Sequence, residues 1–347
     1  MEIDRIAEDV KGFALANNEL YWSSDNELLK LENGTTKSIL KSEEKLQEVK
    51  FETPYIFVPD IYGNSYIIQT EPKYHQNILI KKVIDKDKFI VSHDRKTKLY
   101  NPIDRSIKDL LNHRIFHFFQ EENWLFAEYE KNIVAYSVET GELVWSQSLE
   151  KLLGFYSDIR GSKLDYKVTR FVGKHKNEII IQLTNATLVA LNSETGESSN
   201  ILNLNEKAIL TSNSFYDDYC HPHITNDKII WLNNQRLMNI DTSSFSVNVI
   251  KDYFDEPKDE QFRFMKNTLY KGKILFTADK GFEYVTPSRI GLMDSQDGKI
   301  LWEHQLTKTG GIPESPKICE NEMYIRTANK TLYSVNIDKY INQNARL

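Results

Sequence analysis

Short runs of Ile, Val, Leu, Phe, Tyr and Trp recur along the whole chain, each followed by a polar turn and a second such run. The clearest copy is NWLFAEYEKNIVAYSVETGELVWSQSL at residues 123–149, followed by residues 177–203 and 272–306. Weaker copies occupy residues 18–40, 54–70, 88–104, 227–250 and 321–338. Side chains of this kind suit a pleated, half-buried surface, so the runs predict β-strands. Glu139-Thr140-Gly141-Glu142 and Gln296-Asp297-Gly298-Lys299 place glycine where a hairpin needs positive φ. Helical periodicity is confined to brief stretches around Ser106–Leu111 and Ser148–Leu153.

Each copy reads as a small antiparallel meander, which cannot bury both faces alone and must stack on its neighbours. Taking Leu20, Ile56, Phe89, Leu125, Ile180, Ile230, Leu275 and Tyr324 as equivalent positions gives spacings of 36, 33, 36, 55, 50, 45 and 49. Those periods fit four-stranded propeller blades and exceed leucine-rich or ankyrin units. The expected fold is therefore all-β: a closed β-propeller of four-stranded antiparallel blades, eight by preference and seven as the alternative. It is expected to form one domain over residues 1–347. The last copy ends one strand short, and the segment around Ile3–Ile6 is expected to supply that strand and close the ring.

The segment Ala135-Tyr136-Ser137-Val138-Glu139-Thr140-Gly141-Glu142-Leu143-Val144-Trp145 resembles the repeat of quinoprotein-like (PQQ-like) propellers, A-hydrophobic-D-x-x-T-G-x-x-x-W. Leu292-Met293-Asp294-Ser295-Gln296-Asp297-Gly298-Lys299-Ile300-Leu301-Trp302 is similar in the same register. Ala190–Gly196 keeps the first half, but Asn200 stands where tryptophan is expected; after Asn239-Ile240-Asp241, Phe245 replaces the glycine. The resemblance implies blades around an axis, with Trp145 and Trp302 docked against the neighbouring blade. It does not carry over the quinoprotein active site, because no calcium loop, vicinal cysteine pair or export signal accompanies it. No quinone and no other cofactor is expected.

Charge narrows the function. The 44 basic and 50 acidic side chains give a net charge of −6, whereas nucleic-acid binders carry a basic surplus. No run approaches the ~18 uncharged apolar residues of a membrane helix. The charged N-terminus lacks an apolar signal core. The two cysteines, Cys220 and Cys319, are too few for a disulfide scaffold. The expectation is a cytoplasmic protein of bacterial type, monomeric before binding, with neither nucleic acid nor membrane as partner.

Familiar catalytic motifs are absent: no G-x-S-x-G, P-loop, H-E-x-x-H or G-x-G-x-x-G occurs. The densest chemistry is Tyr216-Asp217-Asp218-Tyr219-Cys220-His221-Pro222-His223. It reads as a polar loop entering a strand, with a zinc or iron site as the alternative. Asp25, Asp94, Asp241, Asp294 and Asp338 sit in or beside turns, where carboxylates cap backbone amides. Two long connections, 154–176 and 252–264, mix aromatics with charge. Tyr253, Phe254, Asp255 and Glu256 form one aromatic–acidic candidate for partner binding, and Tyr216, Asp217, Asp218 and Tyr219 form another. The sequence thus points to a non-catalytic protein-binding propeller, most concretely an immunity protein that neutralises a bacterial toxin by direct binding, with a basic toxin or effector as the expected partner. The alternatives are a hydrolase or lyase with its site in the central funnel, or a scaffold or small-ligand sensor.

Overall fold

In the computed structural model, residues 3–158, 160–205, 220–281, 287–306 and 310–341 are described. They form eight four-stranded antiparallel sheets, one two-stranded hairpin and two short helices, Leu149–Leu153 and Asp338–Ile341. The fold is a β-propeller whose blades are these eight sheets, numbered here in chain order. The chain divides into two compact units, Met1–Arg114 with Gln305–Leu347, and Ile115–His304.

The first unit carries blades 1, 2, 3 and 8. Their first strands are Val10–Ala16, Lys50–Glu52, Leu79–Asp85 and Lys317–Cys319. Blade 8 is built from both ends of the chain. Ile3–Ala7 pairs antiparallel with Leu332–Asn336, in a register that sets Ile3 opposite Val335 and Arg5 opposite Tyr333. The second unit carries blades 4 to 7, with first strands Phe118–Glu121, Val168–His175, Pro222–Thr225 and Phe262–Tyr270. Within this unit Val168–His175 runs beside both Phe118–Glu121 and Pro222–Thr225, so the first strands of blades 4, 5 and 6 adjoin in succession.

Apolar residues on the strand faces meet between blades. Phe126, Ala135, Trp145, Ile179, Ile181 and Val189 pack together between blades 4 and 5. Turn chemistry fixes the registers. Glu130 and Lys131 both have positive φ, as the commonest two-residue hairpin requires, although neither is glycine. Where the third strand turns into the fourth, a short polar side chain caps the turn. Asn192 Oδ1 accepts from Glu194 and Thr195 amides at 2.9 and 3.0 Å, and Asp241 Oδ1 accepts from Ser243 and Ser244 at 3.0 and 2.8 Å.

The structure revises two expectations about elements. Of the two helical stretches, only the second is a helix; Ile107–Leu111 is instead the outer strand of blade 3, paired with Lys96–Tyr100. Pairing to a formed neighbour outweighs the weak apolar spacing there. The connections 154–176 and 252–264 are also shorter than they read, because Val168–His175 and Phe262–Tyr270 are strands. Among the described residues no helix is long and apolar enough to cross a membrane. Cys220 and Cys319 are both unbridged.

Candidate functional site

The docking positions define how blades 4 to 7 meet. Trp145 is buried, and its indole Nε1 donates to the Ser193 carbonyl of blade 5 at 3.0 Å. Its ring lies so close to Gly196 that a Cβ there would fall 2.5 Å from it, so this turn requires glycine. At the next junction Asn200 takes the place of the tryptophan, and its amide donates to the Ser243 carbonyl of blade 6 at 3.0 Å. Phe245, buried and at φ 51°, stands where blade 5 has Gly196 at φ 75°. The bulky ring has changed sides of the junction while the hydrogen bond persists. Trp302 departs from expectation: it is only half-buried, stacked on His304 with ring centroids 6.3 Å apart.

Tyr253 also departs from its expected role. It is 3% exposed, packed edge-on against Phe262 and Phe264, with its hydroxyl donating to the Gly298 carbonyl of blade 7. Tyr253 thus does for blade 6 what Trp145 does for blade 4, and it offers no surface to a partner. Phe254 remains 46% exposed and Asp255 is exposed, while Glu256 pairs with Lys251 at 2.7 Å. The loop is braced by Gln261, whose amide donates to the Phe254 and Glu256 carbonyls at 2.8 and 2.9 Å. Tyr216, Asp217, Asp218 and Tyr219 lie outside the described residues. The connection after Gly154 holds the hairpin Phe155–Ser157 with Lys163–Asp165, where Lys163 Nζ sits 3.8 Å over the exposed Phe155 ring.

A second surface, in the first unit, escaped the sequence reading. The blade 2 turn between Tyr55–Pro59 and Ser65–Ile68 carries Ile61 and Tyr62 at its tip, and Tyr62 is 68% exposed. The turn is built on Asp60, which is 1% exposed. Its Oδ1 accepts from the Tyr62 and Asn64 amides at 2.8 and 3.0 Å, and its Oδ2 accepts from Asn64 Nδ2 at 2.7 Å. The Ile61 amide donates to the Lys45 carbonyl at 3.0 Å. On the adjoining outer strand, exposed Tyr74 packs against Tyr66 at 5.1 Å. Partial burial, then the charges of Asp60, Glu44 and Glu43 around it, push the Tyr74 phenol above its ordinary range. Two consecutive bulky apolar residues at a hairpin tip, Ile61-Tyr62 before Gly63-Asn64, were the available signal.

The first strands of blades 5, 6 and 7 gather nitrogen-bearing side chains. Arg170 stands opposite Gln182, and Lys266 opposite Thr277. Pro222 pairs with Trp231, and His221 immediately precedes it, next in line toward Leu232. Gln182, Leu232 and Thr277 each lie two residues beyond equivalent strand positions, so Arg170, His221 and Lys266 occupy one repeated place. Burial, then Arg170 and Lys266, hold His221 neutral, with its pKa pushed down to about 2. Burial lowers the Arg170 guanidinium to about 10, and Lys266 is lowered by burial and by Arg170. With its amide turned to satisfy its neighbours, Asn267 donates to His223 Nε2 at 2.5 Å and accepts from the His221 amide at 3.2 Å. Cys220 Sγ lies 3.2 Å from both the Phe264 carbonyl and the Asn234 amide. His223 and Cys220 are therefore committed to fixing the strand entry. Among the described residues no three His, Cys, Asp or Glu side chains group to hold a metal ion.

No protein-family model and no curated protein matches this sequence. Solved propellers do match. A computationally designed protein, Ika8, superposes with a TM-score of 0.65 at 10% identity, over 95% of this chain and 96% of that one. Sqt1 of Saccharomyces cerevisiae gives 0.61 at 12% identity, over 95% and 96%. BamB from Moraxella catarrhalis gives 0.60 at 11% identity, over 97% and 98%. At such identities the likeness shows the fold.

Proposed function

We propose that the chain is a non-catalytic protein-binding propeller whose principal contact is the blade 2 turn, with Ile61, Tyr62 and Tyr74 as anchors. The observation that carries this reading is the contrast within that turn. A fully buried carboxylate network holds the backbone rigid, while its tip presents a large apolar pair to solvent. A surface fixed before binding loses little entropy on association, and aromatic anchors dominate interface energetics. The flanking Glu43 and Glu44 favour a basic partner. In its most specific form the partner is a basic bacterial toxin that the protein neutralises by direct contact. Phe254 and Asp255 are a subsidiary contact of the same type. The blades themselves we read as degenerate quinoprotein-like repeats, supported by the glycine turns at Gly196 and Gly298 that receive the preceding blade. The test is capture from the native host by wild-type protein and by a Tyr62→Ala, Ile61→Ser double variant, followed by titration of the purified captured protein. Loss of one desolvated anchor should weaken binding by about 2 kcal/mol or more. Equal affinity of the variant for every captured protein would refute the assignment.

A further inference from the structure

We propose that Arg170, His221 and Lys266, contributed from the same place on three successive blades, form a binding site for the phosphate group of a small molecule. The placement is the first argument. Two registers bring a guanidinium and an ammonium to equivalent positions on the first strands of blades 5 and 7, and the imidazole of His221 immediately precedes the first strand of blade 6, which runs beside that of blade 5. The three lie close enough that Arg170 disfavours a proton on His221, His223 and Lys266 alike.

The second argument is what Arg170 and His221 lack. Arg170 Nε and His221 Nε2 are buried and have no hydrogen-bond partner among the described residues. Burial of an unmatched donor costs about 1–3 kcal/mol, more when it is charged, and a fold retains such groups where a ligand satisfies them. Among the described residues that bear on Arg170, the Cys220 thiol favours its charge and no carboxylate does so. For His221, the charges of Arg170, Lys266 and His223 all oppose protonation.

Chemistry then selects the ligand. Two cations beside a neutral imidazole N–H match a dianion better than a monoanion. A phosphate carries about −1.5 to −2 charges at neutral pH and three acceptor oxygens. Arg170 can grip two oxygens with its fork, Lys266 supplies a point charge, and His221 donates to the third. Asn267 and Cys220 do not compete for the ligand, because they hold the strand entry in place. The site is independent of the blade 2 turn and would stand if that turn bound nothing.

The experiment is a titration of the full chain with inorganic phosphate and, separately, with glycerol phosphate, at ionic strength held constant with sodium chloride. The readout is the ring nitrogen signals of His221. A saturable shift is expected, weakened about tenfold or more in Arg170→Gln and in Lys266→Gln, as charge-assisted hydrogen bonds imply. Tighter binding of the ester assigns the ligand to a phosphorylated small molecule. Binding of inorganic phosphate alone leaves the anion site standing and overturns the small-molecule assignment. If Arg170→Gln proves unfolded by circular dichroism, Arg170→Lys carries the test, since it keeps the charge but loses the fork. Absence of saturation with either probe, or equal affinity in the folded variants, overturns the site.

Discussion

The residue that best shows how sequence and structure correspond here is Trp145. Its role was legible because a single tryptophan ends a recognisable repeat, and the next blade offers Gly196 beneath it. Trp145→Ala should destabilise the fold by about 3–5 kcal/mol in chemical denaturation, the usual range for a buried tryptophan. Tyr253 was misread as a surface anchor because it lies four residues beyond Val249, which aligns with Trp145. Local alternation gave no hint that its ring turns inward to reach Gly298. The Asn200–Phe245 junction invites a double-mutant cycle. Asn200→Trp alone should cost about 1–3 kcal/mol through overpacking, and Phe245→Gly alone should leave a cavity. Combined, they should recover about 1 kcal/mol or more relative to their sum, because the ring returns to the other side. Histidines set a pH signature. His75 is buried beside Tyr100 with its pKa pushed down to about 4, and His221 is held down to about 2. Both bind protons more readily when unfolded, so stability should fall as pH drops below the unfolded value near 6.5. The slope is at most about 1.4 kcal/mol per pH unit for each histidine. His221→Gln should flatten the loss measured between pH 6.5 and 4.5.

At the scale of the element, the second, third and fourth strands of most blades could be read directly, since their Ile, Val and Leu alternate against sharp turns. The first strands could not. Lys50–Glu52 and Lys317–Cys319 span three residues each, too short for periodicity to register. Val168–His175 is longer, but its run VTRFVGKH has polar and charged residues among its apolar ones, and all but Val168 are only half-buried. Arg170 and Lys266, two residues of the proposed phosphate site, therefore sit on elements that sequence patterning describes poorly. The terminal strand was easier to foresee, because the last copy ended one strand short. Removing Ile3–Ala7 would leave the edge of Leu332–Asn336 unpaired. A chain lacking residues 1–7 should melt at lower temperature and show self-association by size-exclusion chromatography, as exposed strand edges pair with one another.

For the whole molecule, composition was a poor guide to local charge. A net charge of −6 conceals cations on the first strands of both units. Lys81 and Lys317 are lowered chiefly by burial in the first unit, and Arg170 and Lys266 in the second. Averages over 347 residues cannot register a tier of three. The apolar turn at Ile61-Tyr62 was likewise lost among surface residues, since only the network around Asp60 marks it as rigid. The pairing of Ile3 with Val335 has a further consequence in time. A ribosome adding roughly 5–20 residues per second needs roughly 15–70 s to make the partner of the first strand. Until then Ile3–Ala7 has nowhere native to pair, and the nascent chain must shield it. A circular permutant beginning at Asp9, with residues 3–7 joined after the present C-terminus, should shorten that interval. In a cell-free translation reaction, pulse-chase protease resistance should then appear as soon as synthesis ends.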